Sequence, residues 1–310
     1  MRVLVFGAGV IGSYTAHVLC MAGNDVTILA RGKREKNLKE KGLVIKHHKR
    51  HKMTVDYPYI IGNLEEDDIY DIIFVVMQYG QMWDTLPMLA SNNSPMIVLV
   101  GNNMATVQME RYLTEHSTNM KTIVFGFQAT GGKRNKDMIE AVYLHPGMNL
   151  GSTSTDKEWK KIIQKSFEGT AYTLTFHDDM DAWCKCHLAF ILPICYLCYA
   201  LDCNLKKATA KQINEIIDAT IEGYELLEYL HYPMVPADLK EYFIKKRRSA
   251  FFMLWVLAKT KLGVLAASEH AKNAVGEMIV LNKEFDKLKE QATDFSMPVW
   301  DRLERFMPKQ

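Results

Sequence analysis

The first residues able to do chemistry are Gly7-Ala8-Gly9-Val10-Ile11-Gly12, a G-x-G-x-x-G pattern directly after the apolar run Val3-Leu4-Val5-Phe6. A helical pattern follows to about Met21, and Gly23 is placed to close it. In a strand–turn–helix setting each glycine has its own task. Gly7 permits the tight turn, Gly9 lets a pyrophosphate approach the backbone, and Gly12 lets the helix pack on the strand. The phosphate then meets the free N–H groups and the positive end of the helix. Glycine turns alone are common, so it is the flanking strand and helix that make residues 7–12 a dinucleotide-binding loop.

A second strand, Val26-Thr27-Ile28-Leu29, arrives on schedule and ends in Ala30-Arg31-Gly32. A site for NAD would place a carboxylate there to hold the ribose 2′-hydroxyl. Arg31 instead suits a 2′-phosphate, which its planar fork can pair with in a bidentate manner. NADP(H) is therefore the expected cofactor. Arg31 also opens a basic stretch: residues 31–52 hold ten Lys and Arg against two Glu. Its first part, Arg31 to Lys36, has the 2′-phosphate as a partner. Lys39 to Lys52 has no such partner; within it Lys46 to Lys52 reads as a solvated basic loop, with a hairpin for RNA or membrane as the alternative. The whole chain balances 38 basic against 36 acidic residues, which gives no bulk charge for holding nucleic acid.

Gln78 ends the apolar run 72–77, and Gly101-Asn102-Asn103 ends Met96 to Val100. In open α/β sheets ligands lie beyond the carboxyl ends of strands, so both positions are candidates for cofactor or substrate contact. The competing reading for either asparagine is tolerance of a left-handed turn. Further along, Lys185 lies on a helix whose neighbours Leu188, Ala189 and Leu192 are apolar. A buried ammonium there would have its pKa lowered and would suit a general acid. An i,i+4 pair with Asp181 would instead put it at the helix surface. His270, Asn273 and Glu277 recur at helical spacing and form either a polar pocket wall or a solvated stripe. Cys184, Cys186, His187, Cys195 and Cys198 crowd one helix, but residues two apart on a helix diverge, so buried thiols are expected rather than zinc.

These residues need elements to position them. The 310 residues make about two domains at roughly 150 residues each. At 48% hydrophobic and 24% charged, the chain is neither disordered nor a small disulfide scaffold. Strand patterns at 72–77, 96–100, 122–125, 140–150 and 171–176 alternate with helical ones at 81–90, 106–115 and 157–167. That alternation predicts an α/β fold, a Rossmann-type parallel sheet over residues 1–176. Residues 177–310 then show helical periodicity throughout, as in Ile213, Ile216, Ile217, Thr220, Ile221, Tyr224 and Leu227. The longest uninterrupted apolar stretch, Leu188 to Leu201, is 14 residues with Pro193 inside, which fits a core helix and not a membrane span. Bulky Leu19 beside Cys20 argues against a cleaved leader. Six cysteines without an export signal suggest reduced thiols and a cytoplasmic protein.

Taken together the chain resembles the ketopantoate reductase family, the 2-dehydropantoate 2-reductases of pantothenate biosynthesis, over nearly its whole length. The resemblance lies in residues 7–12, in Arg31, and in Asn102-Asn103-Met104 where the family has Asn-Gly-Met. It continues in Trp183-Cys184-Lys185 at the catalytic lysine helix and in the approach to Met297-Pro298. It implies a helical second domain like the C-terminal domain of 6-phosphogluconate dehydrogenase. It further implies that NADPH reduces the keto carbon of a 2-oxo acid in the cleft between the domains. Lys185 would protonate the alkoxide, Asn102 would place the substrate, and Glu277 would stand for the family's substrate-binding glutamate. The large apolar content of the helical domain adds the expectation of a homodimer through it, with no nucleic-acid or membrane partner. The departures are specific. Gln78 stands for a lysine, Ala189 and Pro193 for two asparagines, and Phe252 for a serine. They point to a more apolar carbonyl substrate, or alternatively to an NADP(H)-binding sensor that has lost catalysis.

Overall fold

Val3, Leu4 and Val5 are wholly buried although they point to alternate faces, because β1 (Arg2–Phe6) runs through the middle of a sheet. A computed structural model describes the chain apart from residues 49–51, 129, 144–145, 154–156, 261–262 and 310 and the side chains of 265, 266 and 270. It divides into two compact units, Met1–Met180 and Asp181–Gln310, four residues beyond the 176/177 boundary expected from sequence.

The first unit contains β1, β2 (Asp25–Leu29), β3 (Leu43–His47), β4 (Lys52–Asp56), β5 (Tyr59–Ile61), β6 (Ile72–Val76) and β7 (Met96–Val100). It continues with β8 (Thr122–Phe127), β9 (Gly131–Arg134), β10 (Ile139–Val142), β11 (Gly147–Gly151) and β12 (Thr173–His177). Its helices are α1 (Val10–Met21), α2 (Gly32–Lys41), α3 (Tyr79–Ser91), α4 (Thr106–His116) and α5 (Glu158–Ser166). Eight strands form the main sheet in the order β12-β11-β8-β7-β6-β1-β2-β5. From β5 through to β8 every pairing is parallel; β11 then runs antiparallel to β8 and carries β12 with it.

A second sheet, β4-β3-β10-β9, was not foreseen. The stretch 140–150, read as one strand, is two: β10 joins the second sheet and β11 the main one. Helix α1 lies between the sheets, which is why Val10–Met21 is apolar nearly all round and buried continuously from Gly12 to Leu19. Its polar side chains are paired: His17 Nδ1 lies 2.7 Å from Asp56 Oδ2, and Thr15 Oγ1 donates to Gln128 Oε1 at 2.9 Å. The helix closes as expected, with Gly23 at φ +78 and the N–H groups of Gly23 and Asn24 returning to Cys20 and Leu19 carbonyls. The basic stretch is also resolved in part. Lys46, Lys133 and His48 all face Glu140, whose carboxyl is held below its ordinary range chiefly by the His48 hydrogen bond. Lys39 and Lys41 pair with Glu35 and Asp137.

The second unit is helical. It contains α6 (Met180–Ala200), α7 (Ala210–Tyr229), α8 (Leu239–Lys245), α9 (Arg247–Lys259), α10 (Glu269–Asn273), α11 (Val275–Glu290) and α12 (Pro298–Glu304). A capping box, Thr209 with Gln212, starts α7, whose face Ile213, Ile216, Ile217, Thr220, Tyr224 and Leu227 is buried. Helix α6 is long and apolar enough to cross a membrane, yet most of it is buried inside the protein.

Trp300 on α12 anchors the C-terminus by stacking on Phe285 with centroids 4.4 Å apart. Beside it Asn282 donates to both Asp286 (3.0 Å) and Glu304 (2.8 Å). Burial, then the Glu304 charge, push the Asp286 carboxyl up to about 7. Folded Asp286 therefore keeps a proton that the unfolded chain releases near its ordinary value of about 3.9. Its stabilising contribution is full below that value and is lost as pH rises through about 7. We expect Asp286→Asn to stabilise the protein by about 1–2 kcal/mol at about pH 8, discounted for partial solvent screening. Urea titrations should show that gain vanishing at about pH 4.

Candidate functional site

The loop after β1 separates glycines the fold needs from one it does not. A Cβ on Gly7 (φ +124) would lie 2.2 Å from the Val76 carbonyl oxygen, and one on Gly12 would lie 1.9 Å from the Gly7 carbonyl oxygen. Both contacts are with backbone and cannot be relieved by moving a side chain. Gly9, at the N-cap of α1, has an ordinary φ of −73, and a Cβ there meets nothing within 4 Å. Its missing side chain leaves room on the open side of the loop. No side chain caps α1, and no acidic residue lies in its first turn, so its leading N–H groups present a positive end to that room. This arrangement fits a dinucleotide pyrophosphate. Ala8 is buried under the loop and accepts from Ser13 Oγ at 3.4 Å, while Val10 and Ile11 are half-buried.

The other predicted cofactor residues lie at carboxyl ends of neighbouring strands. Arg31 follows β2, is exposed, and makes no side-chain hydrogen bond or ion pair among the described residues. Gln78 follows β6 as the exposed N-cap of α3. After β7 the unusual backbone falls on Gly101 (φ +157), where a Cβ would come 2.6 Å from the Met77 carbonyl oxygen. Neither asparagine has a positive φ, so the left-handed-turn reading is set aside for both.

The two asparagines differ in their partners. Asn103 accepts from the Ala105 N–H at 2.8 Å and donates to Met109 Sδ at 3.3 Å, which commits it to the loop. Asn102 is equally buried, but its Oδ1 has no hydrogen-bond partner. A buried amide oxygen left unpaired is costly, so a donor from a ligand, such as a ribose hydroxyl, would satisfy it.

In the helical unit, Lys185 combines features the sequence set as alternatives. It forms the i,i+4 pair with Asp181 (2.5 Å), yet its side chain is only 6% exposed. Its ammonium also sits 4.8 Å from the Tyr232 ring centroid. Tyr232 was not anticipated, since a ring 47 residues distant leaves no local pattern. Ala189 and Pro193 are buried on the same helix, which continues through Pro193.

Glu277 is buried in the first turn of α11, where its charge helps raise the Cys195 thiol and the Tyr199 phenol. Of the His270, Asn273 and Glu277 set, Asn273 and Glu277 do not share one continuous helical face. The helix is interrupted at Ala274 (φ −118, ψ 27), and Asn273 is exposed and turns back to the Glu269 carbonyl at 2.7 Å. The side chain of His270 lies outside the described residues. Cys184, Cys186, Cys195 and Cys198 are buried thiols outside any disulfide among the described residues. Phe252 is exposed and stacks with Trp255 at 6.4 Å.

The sheet order, the glycine loop and the all-helical second unit define an α/β protein of the Rossmann type with a helical C-terminal half. Residues 3–145 match the family described as ketopantoate reductase PanE/ApbA, the family the sequence resembles. No curated protein sequence matches the chain. Solved structures share the fold over both units. D-mandelate dehydrogenase, solved with NADH and anilino(oxo)acetate, has a TM-score of 0.75 at 17% identity, covering 99% of this chain and 97% of its own. The PanE/ApbA family ketopantoate reductase from Ralstonia eutropha JMP134 has a TM-score of 0.72 at 14% identity, covering 99% and 97%. The 2-dehydropantoate 2-reductase from Methylococcus capsulatus has 0.65 at 17%, covering 97% and 99%.

Proposed function

We propose that this protein is an NADP(H)-dependent oxidoreductase that reduces the keto carbon of a 2-oxo acid or related carbonyl, as a 2-dehydropantoate 2-reductase does. The observation that carries this reading is Lys185. It is a buried ammonium on an apolar helix, fixed by one carboxylate and one ring face. When bound, NADPH supplies the hydride. The leading N–H groups of α1 hold the pyrophosphate against the room left by Gly9. Arg31 pairs with the 2′-phosphate, and Asn102 uses its unpaired Oδ1 to orient a hydroxyl. Lys185 Nζ donates a proton to the forming alkoxide oxygen, while Asp181 and Tyr232 hold the ammonium in place. Glu277 serves as a substrate-binding carboxylate.

Ala189, Pro193 and the exposed Phe252 favour a substrate with an apolar substituent over pantoate-like hydroxyls. The oxoacetate in the D-mandelate dehydrogenase structure carries an anilino group, which makes aryl 2-oxo acids the first to try. NADPH oxidation is to be followed with a panel of aliphatic and aryl 2-oxo acids, ketopantoate included. Turnover on at least one is expected. The same contacts that position Lys185 also occupy its ammonium, which favours a second reading, a cofactor-binding sensor. Tight NADPH binding without turnover on any carbonyl would establish that reading instead.

The cofactor assignment has its own test. Removing a charge-assisted contact to phosphate should weaken binding by about tenfold or more, so Arg31→Ala should lose that much NADPH affinity. NADH affinity should hardly move. An unchanged dissociation constant for NADPH in calorimetry would refute the 2′-phosphate role of Arg31.

A further inference from the structure

Arg34 and Arg134 have no role in the site as described, and the fold brings them together in an unusual way. Arg34, on the first turn of α2, is half-buried and held in place by neutral partners only. Its Nη1 donates to Asn37 Oδ1 at 2.9 Å and its Nη2 to Ser13 Oγ at 3.2 Å. Ser13 in turn donates to the Ala8 carbonyl, so the Arg34 guanidinium is tied to the glycine loop through one hydroxyl. Its Nε is buried with no hydrogen-bond partner.

Arg134 is carried in by the second sheet. On β9 Gly132 lets the strand approach α1. A Cβ on Gly132 would lie 3.2 Å from Val10 Cγ1, within the first turn of the helix that follows the loop. Residues two apart on a strand share a face. Arg134 therefore shares the α1-facing side with Gly132, opposite the buried Ile139, while Lys133 takes the other face and reaches Glu140 at 3.6 Å. Among the described residues Arg134 has no side-chain hydrogen bond or ion pair. Burial, and then the Arg134 charge, lower the Arg34 guanidinium to about 10.

Two guanidinium groups close enough to repel, one with a buried unpaired N–H, are unfavourable in the free protein. An anion between them would reverse the sign of that interaction. We propose that Arg34 and Arg134 form a second guanidinium clamp for the phosphate monoester on the cofactor's adenosine ribose, completing what Arg31 begins. The clamp rests on the NADP(H) reading above. Position, charge and donor count all suit a dianionic monoester. Arg31 and Arg34 flank the start of α2, the Asn37 Nδ2 to Asp137 Oδ1 hydrogen bond (3.1 Å) ties that helix to the turn just after Arg134, and the Ser13 link places the group one helical turn from the glycine loop.

The test measures dissociation constants for NADPH, NADH, 2′-AMP, 5′-AMP and inorganic phosphate on the full chain and on Arg134→Ala, Arg34→Met and Arg31→Ala. Arg134 is exposed, so Arg134→Ala is expected to fold normally and, without cofactor, to melt no lower than the parent. It should bind NADPH and 2′-AMP about tenfold more weakly with NADH and 5′-AMP unchanged. Arg34→Met should show the same selectivity loss. Equal losses for NADPH and NADH, or no loss, would overturn the clamp. So would inorganic phosphate binding as tightly as 2′-AMP, which would make it a site for the free ion. A parent protein that prefers NADPH and loses that preference in Arg31→Ala but not in Arg134→Ala refutes the clamp alone. A parent protein with no preference for NADPH refutes both the clamp and the cofactor assignment.

Discussion

Lys185→Ala is expected to lower the turnover number by at least about 100-fold while leaving NADPH affinity within about twofold, because a positioned general acid contributes about 10²–10⁴. The expectation follows from placement. The ammonium is almost wholly shielded from water, and Asp181 and the Tyr232 face limit where it can move. On the proposed function, an alkoxide forming within its reach would receive a proton without waiting for solvent. Primary amines such as ethylamine should restore part of the turnover in Lys185→Ala, which a merely structural lysine would not permit. Asp181→Asn should cost less, since it loosens the donor without removing it. A Lys185→Ala protein that reduces the best substrate at the parent rate would end the proton-donor assignment.

The second large effect separates two glycines of one motif. Gly12→Ala forces a methyl into backbone, 1.9 Å from the Gly7 carbonyl oxygen, and is expected to cost about 3 kcal/mol or more of stability. Gly9→Ala places the same methyl in open space and asks for no unusual dihedral. It should melt close to the parent, with the small loss typical of alanine at an N-cap. Yet it should bind NADPH about 10–100-fold more weakly, since the methyl fills the room where charge-assisted contacts to the pyrophosphate are made. Paired thermal melts and cofactor titrations read both effects. A Gly12→Ala protein as stable as the parent, or a Gly9→Ala protein binding like it, would contradict this division.

How much was legible in the sequence follows from how local each signal is. The loop 7–12 and the main-sheet strands β1, β2, β6, β7, β8 and β12 are readable because contiguous residues carry them, whereas the three-residue edge strand β5 carries too short a pattern. The second sheet is not readable either. Its β3–β4 hairpin is flanked by lysines that resemble a solvated loop, and their partner Glu140 arrives from almost a hundred residues away. In β9 the pair Gly131-Gly132 conceals a strand, and Gly132 answers the close approach of α1 and the Glu140 carbonyl. The apolar pattern through 140–150 hid a change of sheet that Pro146-Gly147 marks in retrospect. At the site, Asn103 is told from Asn102 by its contacts with the Ala105 N–H and Met109, which adjacent identical residues do not announce. For Lys185, ion pairing and burial looked like rival outcomes on a single helix. Tertiary packing made them compatible.

The cysteines on α6 have a practical use. Cys195 and Cys198 are buried, the Cys195 thiol pushed up by burial and that of Cys198 raised to about 12, so neither offers an appreciable thiolate near neutral pH. An alkylating reagent can then reach them only when the helix opens. Their labelling rates form a built-in clock for sub-global opening of the helical unit, readable by intact mass with no engineered probe. A ligand that quiets that clock does so by binding the closed form.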